Sequence, residues 1–486
     1  MVNIFLTLLV LISVFGAIEK ITDDYFQLSS NGIYFFNLVI ALIVFFTIFL
    51  KKQKISKKIQ NSSKKAKIFC LAIVVILVVS WQLWVVISLN GQPLNDANTI
   101  LNKAMGIQGN DDYFSFYPNN FLILILEKNL WLLFNRPIAA NFILILSVLN
   151  IFLIDLSIVL AGFAIKKIWG VKVGKVYSVL STILMGLSPW LTVPYTDIWA
   201  YFLSSCALYL TVNIRYSEEN WKQIISSLGL GLVIAVSYFM KPSLIIFYIA
   251  AVLICLVTFF TTKQFYGFKN VAVVLFSCFL FVSLFSIQKN ETNIVNFNKE
   301  QAFSMAHFAA MGAIKNGGYN PDDFAADKEI PGADQRKKRD IIVLKKRLKS
   351  YKTFANYQRF LMKKQILNTA DGSFAWGYDG GTKQPFNLKK HNIPQKMFFE
   401  NGVATNKSIF SFPIQIVWSL SLILILFTIP DKRLSVQLMK YTVVGFFAFL
   451  LLFEGGRSRY IIQFLPFVLL LASVGLGKAN EFLERK

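Results

Sequence analysis

Long apolar runs separated by short polar segments dominate the pattern along the chain. Most of these runs approach the roughly 20 residues that an α-helix needs to cross about 30 Å of hydrocarbon. They cover residues 32–50, 68–89, 138–163, 176–193, 224–240, 243–261, 270–288, 409–429, 436–453 and 458–476, and the shorter runs 2–18 and 199–214 are equally apolar. Because the runs are continuous and do not alternate, they exclude a spanning β-barrel. The pattern predicts an all-α polytopic membrane bundle of about 12 transmembrane helices.

The composition agrees with this pattern. Hydrophobic residues make up 55% of the 486 residues, and the mean hydropathy is +0.54, more than a soluble core of this length buries. The first run lacks a basic flank and a small-residue cleavage site, so we expect a retained helix and not a secretory signal. The cysteines lie in or beside apolar runs, with no disulfide framework or zinc spacing.

The net charge of +24 is unevenly distributed. Segment 51–67 has eight lysines and no acid, which by the positive-inside tendency predicts a cytoplasmic loop. Alternating the spans from there places both termini in the cytoplasm and places loop 90–137 and segment 289–408 outside. Counting 121–136 as a span would invert every later loop, so we expect a re-entrant or interfacial helix there.

These predictions divide the chain into four parts. Residues 1–67 form a transmembrane hairpin and basic cytoplasmic loop, and 68–288 a transmembrane core with a long first outer loop. Residues 289–408 form a small α-rich extracellular domain, with 21 basic and 11 acidic residues, and 409–486 the last transmembrane helices. The basic stretch 334–367 has two interpretations, a helix surface resting on anionic headgroups or a docking surface for a polyanionic acceptor. No nucleic-acid module is present, so no nucleic-acid partner is expected.

Ionisable residues near a membrane are costly and therefore candidates for function. In the first outer loop, Asp96 is a candidate general base toward an acceptor hydroxyl, although Asn95 or Asp96 also fits a helix N-cap. Asp111 and Asp112 are alternative bases. Neighbouring aromatic and amide side chains suit a sugar, namely Tyr113, Tyr117, Asn119 and Asn120.

Other candidates lie in the short outer turns between later runs. They are Asp197, Lys241, Glu454, Arg457 and Arg459. The forked guanidinium groups of Arg457 and Arg459 suit a phosphate. One outward-facing pocket with these groups would suit a lipid-phosphate-linked sugar. The sequence has no Walker loop and no dinucleotide fingerprint, and His307 and His391 look isolated, so neither a cofactor nor a divalent metal is expected.

With these elements the chain resembles the polytopic C-type glycosyltransferases (GT-C), which include protein O-mannosyltransferases and aminoarabinose transferases. It looks most like integral membrane members from low-GC Gram-positive bacteria. The resemblance rests on the long first outer loop with its acidic residue and its Tyr-Pro-Asn-Asn turn at 117–120. It also rests on the Pro-Tyr-x-Asp turn at 194–197 and on Arg-x-Arg-Tyr at 457–460, before a proline-containing span.

The resemblance implies an inverting, metal-independent transfer from a polyprenyl-phosphate sugar to a cell-envelope glycopolymer, for example an anionic one such as teichoic acid. It puts Asp96 in the position of the base and assigns Lys241, Arg457 and Arg459 to the leaving phosphate. Many relatives have adjacent Asp and Glu in the first loop, whereas Asp96 is followed by an alanine. The choice between Asp96, Asp111 and Asp112 therefore stays open.

Two other functions use similar groups. A transporter or flippase of lipid-linked saccharides also needs cations and aromatic residues near the headgroup. The predicted spans carry few charged residues, among them Asp155, which disfavours a polar path through the bundle. An envelope polysaccharide polymerase or ligase would use a similar site with a pyrophosphate-linked donor.

Overall fold

The computed structural model describes residues 2–23, 63–107, 112–263, 267–291, 294–387, 392–400, 403–405 and 411–484. In these ranges the regular secondary structure is helical except for two short antiparallel strand pairs. Eight helices there are long and apolar enough to cross a membrane. The predicted span 32–50 and residues 51–62 of the lysine-rich segment lie outside the described ranges.

The elements are numbered in chain order. The helices are α1 (Val2–Ile21), α2 (Lys64–Leu89), α3 (Asn95–Ala104), α4 (Asp112–Phe116), α5 (Phe121–Leu133), α6 (Ala139–Trp169), α7 (Val171–Ser181), α8 (Thr196–Tyr216), α9 (Asn220–Met240), α10 (Ile245–Thr262), α11 (Phe268–Glu291), α12 (Met305–Met311), α13 (Pro321–Lys328), α14 (Ala333–Ser350), α15 (Phe354–Thr369), α16 (Ile393–Phe398), α17 (Ser411–Leu426), α18 (Leu434–Leu452) and α19 (Leu465–Glu484). The strands are β1 (Gly91–Pro93), β2 (Thr382–Pro385), β3 (Phe399–Glu400) and β4 (Val403–Ala404).

The eight candidate spans follow the apolar runs. They are α1, α2, α6, α9, α10, α11, α18 and α19, where α10 and α19 continue from the 3-10 turns Pro242–Leu244 and Ser458–Phe464. Helix α6 shows how such a span ends: Lys166 and Lys167 stand in its last turn, where cations oppose the negative end of the helix dipole. Gly170 then takes a φ of 88°, a conformation that glycine adopts without a steric penalty.

At three of the predicted spans the structure differs from the single long apolar helix that the sequence predicts. Run 176–193 is not one helix. Helix α7 continues into a π-helical turn at Thr182–Gly186, and a separate 3-10 turn begins at Pro189. The ring of Pro189 prevents a continuous helix. Run 199–214 forms the 21-residue helix α8, which is too polar to count among the eight. Run 409–429 gives only the 16-residue helix α17. Helix α5, predicted as interfacial, has 13 residues.

The described residues of segment 289–408 are mainly helical and pack directly on the bundle. Strand β2 pairs antiparallel with β1, with Gly91 opposite Pro385, so the segment is joined to the residues just before Asp96. Helix α15 packs on α1, where Gln365 and Thr369 both contact the hydroxyl of Ser13 at 3.0 and 2.8 Å. The segment therefore shapes the same end of the bundle as the outer-loop candidates.

Lys364 of α15 fixes the backbone between α18 and the turn that begins at Ser458. Its side chain is fully buried and donates to the carbonyl oxygens of Gly312, Leu451 and Phe453 at 2.6, 3.0 and 2.6 Å. An ammonium group has three N–H bonds, and each has a carbonyl acceptor here. Lys364 thus joins three separate parts of the chain beside Glu454.

Glycine residues of two loops, Gly317 in one and Gly455 and Gly456 in the other, meet at the same place. The backbone N–H of Gly455 donates to the carbonyl of Gly317 at 2.8 Å, and the N–H of Gly456 donates to the side chain of Asn368 at 2.6 Å. Gly317 and Gly456 have φ values of 75° and 70°. A Cβ atom at Gly317 would lie 2.3 Å from the Lys364 side chain, so only glycine fits this contact.

Candidate functional site

Asp96 lies in the first turn of α3, directly after strand β1. The helix begins at Asn95, and no side chain caps its N-terminus, so the N-cap interpretation of Asn95 or Asp96 is wrong. The Asp96 carboxylate instead accepts a hydrogen bond of 3.1 Å from the hydroxyl of Tyr195. Tyr195 comes from the loop before α8, and this contact connects that loop with the loop that follows α2.

The ring of Tyr195 contacts the cationic part of the site. The guanidinium carbon of Arg459 lies 5.2 Å from the centre of the Tyr195 ring, within the range of a cation–π contact. Tyr195 is nearly buried, with 8% of its surface exposed. One buried tyrosine therefore bridges Asp96 and Arg459, which are far apart in sequence.

Asp197 is the centre of an ion-pair cluster. It lies in the first turn of α8 with 1% of its side chain exposed, and it pairs with Lys241. Its second oxygen is 3.3 Å from Nε of Arg459, without hydrogen-bond alignment. Since a buried carboxylate is costly without a partner, Asp197 serves to hold these two cations.

Arg457 and Arg459 both contact a residue of the inserted segment, Asp379. The Asp379 carboxylate is 3.3 Å from Arg457, and its backbone carbonyl accepts from Arg459 at the same distance. The hydroxyl of Tyr460, the residue after Arg459, donates to Glu454 at 3.2 Å. Burial raises the pKa of Glu454, and the charge of Arg457 opposes that shift.

The aromatic and amide candidates lie beside Asp96. Asn120 donates to the hydroxyl of Tyr113 at 2.6 Å, and Asn119 donates to Asn120 at 3.2 Å. The Tyr113 and Tyr117 rings are 5.3 Å apart, and Phe303 of the inserted segment covers Tyr117 at 5.4 Å. Burial, followed by the charges of Tyr195 and Asp96, raises the pKa of Tyr113 well above its usual value.

Most of the candidate residues from the sequence are thus brought together. Asp111 lies outside the described residues, and Asp112 is the first residue of α4. Sequence reasoning missed Tyr195, Tyr460 and Asp379. The two tyrosines stand inside the quoted Pro-Tyr-x-Asp and Arg-x-Arg-Tyr elements, whereas no local signal marks Asp379 among the glycine-rich turns.

A second charged cluster lies inside the inserted segment, and it corrects the expectation that His307 is isolated. Within the described residues His307, Asp327 and Asp340 are all buried, and their ligand-type atoms lie within 4.8 Å of one another. His307 Nδ1 is 2.5 Å from Asp327, and Arg339 contacts Asp327 and lies 3.6 Å from Asp340. Arg339 supplies a positive charge to these carboxyl groups, as expected for a buried ion-pair network.

A family model described as "Conserved hypothetical integral membrane protein" matches residues 1–480. The chain belongs to this family and is a multi-pass integral membrane protein. No curated protein matches the chain. Two solved structures of ArnT from Cupriavidus metallidurans are similar to it. The form bound to undecaprenyl phosphate is 10% identical, covers 86% of this chain and 79% of that chain, and has a TM-score of 0.36. The apo form is 12% identical, covers 85% of this chain and 78% of that chain, and has a TM-score of 0.35.

Proposed function

We propose that this protein is a membrane glycosyltransferase that moves a sugar from a polyprenyl-phosphate donor to a cell-envelope glycopolymer on the outer face. The observation that carries the proposal is the Tyr195 bridge. The hydroxyl of Tyr195 donates to Asp96, a candidate base, and its buried ring contacts Arg459, a candidate phosphate ligand. A displacement at a lipid-phosphate sugar needs a base and cations close to each other.

In the proposed reaction the acceptor hydroxyl attacks the anomeric carbon of the sugar while Asp96 takes its proton. The bond between that carbon and the phosphate oxygen breaks, and the electron pair leaves with the phosphate. Lys241, Arg457 and Arg459 stabilise the charge that develops on the leaving oxygen. Attack opposite to the leaving group inverts the anomeric centre, and the proton ends on Asp96.

The residues around Asp96 have separate proposed roles. Tyr113 and Tyr117 contact the sugar ring, and Asn119 and Asn120 bind its hydroxyl groups, because aromatic faces and amides suit sugars. Glu454 holds Tyr460. The basic inserted segment faces either the anionic acceptor or lipid headgroups. We propose no metal and no cofactor for this reaction.

Replacing Asp96 by Asn tests the base assignment. The amide keeps the shape of the side chain but cannot accept the proton, so transfer should fall by about 100-fold or more. Purified protein is incubated with labelled polyprenyl-phosphate sugars, and label in the polymer is measured. Asp112→Asn is the matched control and should keep most of the activity; near-normal transfer by Asp96→Asn would disqualify Asp96 as the base.

The same assay in proteoliposomes separates the alternative functions. A transferase moves label onto the polymer, whereas a flippase moves the labelled lipid across the bilayer and leaves the sugar attached to it. A polymerase or ligase transfers label only from pyrophosphate-linked oligosaccharides. Label that crosses the bilayer without reaching polymer would refute the proposed transferase.

A further inference from the structure

The turn that carries Asp379 is fixed at both ends and exposed in the middle. Asp371 accepts hydrogen bonds from the N–H groups of Ser373 and Ala375, both at 2.9 Å, and the carbonyl of Ser373 accepts from the indole of Trp190 at 3.1 Å. At the other end Gly380 lies against the Trp190 ring, where a Cβ atom would come within 2.1 Å. Between these points, Tyr378 is 64% exposed.

The charges around the arginines leave no excess positive charge for a ligand. Three cations of the site face four carboxyl groups: Lys241, Arg457 and Arg459 against Asp96, Asp197, Asp379 and Glu454. A phosphate group would add at least one more negative charge in a partly desolvated place, which is unfavourable unless another anion leaves or is neutralised.

Asp379 differs from Asp197, the other carboxylate that lies beside the arginines. Asp197 is 1% exposed and lies between Lys241 and Arg459. Asp379 has 19% of its side chain exposed, and its Arg457 partner 24%. It stands between Tyr378, which is exposed, and Gly380. Of the two carboxylates that pair with the arginines, Asp379 is therefore the one that can withdraw at the lower cost.

We propose that Asp379 occupies the phosphate-binding position on Arg457 and Arg459 and withdraws when a phosphate-bearing lipid binds. This inference rests on the proposed function in naming the lipid, but the competition itself concerns any phosphate anion. The 376–380 turn of the inserted segment then controls access to the arginines. Binding of the donor would be coupled to a movement of the segment that also pairs with the strand before Asp96.

The test measures how Asp379→Asn changes phosphate binding by the purified full chain in nanodiscs. Asparagine keeps the size of the side chain and removes the competing charge. The affinity for undecaprenyl phosphate should therefore rise by about three- to tenfold, as expected for loss of a partly exposed ion pair. Asp379→Ser repeats the test with a smaller side chain in case the first variant does not fold.

Asp322→Asn is the matched control, because Asp322 is an acid of the same segment that is 81% exposed and pairs with Lys315. It removes the same charge and should leave the affinity unchanged. An unchanged or weaker affinity in folded Asp379 variants would overturn the inference, since a purely structural carboxylate gives that result. An equal gain in Asp322→Asn would overturn it too.

Inorganic phosphate, measured in parallel, separates this inference from the proposed function. If Asp379→Asn binds inorganic phosphate more tightly while no variant binds undecaprenyl phosphate, the competition stands and the lipid-donor proposal fails. If neither the wild type nor the variant binds either anion, the competition is refuted.

Discussion

Asp340 shows how one buried carboxyl group makes stability depend on pH. It is 2% exposed and faces Asp327, Arg339, Asp323 and His307. Burial, followed by the neighbouring Asp327 carboxylate, raises the pKa of Asp340 from 3.8 to about 7. The folded protein therefore keeps a proton that the unfolded chain releases above about pH 4, so this residue costs stability as the pH rises toward 7.

Replacing Asp340 by Asn should remove this cost. At pH 8 the variant should be more stable than the wild type by on the order of a few kcal/mol, and near pH 4 the two should be similar, since the neutral acid resembles the amide. Thermal unfolding of the purified protein, followed by tryptophan fluorescence at both pH values, measures the difference. Asp322→Asn serves as the exposed control, and a gain of equal size at both pH values would contradict the explanation.

At the level of elements, the contact between α15 and the loop after α18 determines where Glu454 and Arg457 lie. Lys364 is fully buried there and has three carbonyl acceptors, and Gly455 and Gly456 bond to Gly317 and Asn368. The conformation of this loop thus depends on the inserted segment.

Replacing Lys364 by Met tests this contact. Methionine has a similar length but cannot donate, so one buried and two part-buried hydrogen bonds to carbonyl oxygens are lost, and stability should fall by roughly 3 kcal/mol. The midpoint of thermal unfolding should drop by several degrees, and proteases should cut the inserted segment faster. The neighbouring Lys363 is exposed, so Lys363→Met is the matched control; identical behaviour of the two variants would show that the contact is unimportant.

For the whole molecule, the predicted orientation puts both termini in the cytoplasm and the inserted segment outside. The positive-inside tendency supports this through the lysine-rich segment 51–67. The proposed reaction depends on it, because the Asp96–Tyr195–Arg459 cluster and the inserted segment lie together and must face the same compartment.

Cysteine labelling in intact cells measures the orientation. In a variant whose native cysteines are replaced by serine, Ala325→Cys on α13 should react with a membrane-impermeant maleimide. Glu218→Cys, in the predicted cytoplasmic turn after α8, should react only after the membrane is opened. Both positions are exposed, so access to the compartment decides the result. The opposite pattern would invert the topology.

The sequence by itself determined the class of protein, because hydropathy and run length are local properties that decide whether a helix can cross a bilayer. The multi-pass prediction is confirmed, and the described spans follow the apolar runs except at 176–193, 199–214 and 409–429. The sidedness and the four-part division remain predictions. Local patterns also marked Asp96, Arg457 and Arg459 as unusual residues.

Only the tertiary structure decided which of these residues meet. Asp96, Tyr195, Asp379 and Arg459 come from four separate parts of the chain, and their contacts depend on the pairing of β1 with β2 and on the packing of α15 against α1. Such contacts arise from long-range packing, which leaves no periodicity in the sequence. For that reason no local pattern marked Asp379 as the partner of the arginines or joined His307 to Asp340.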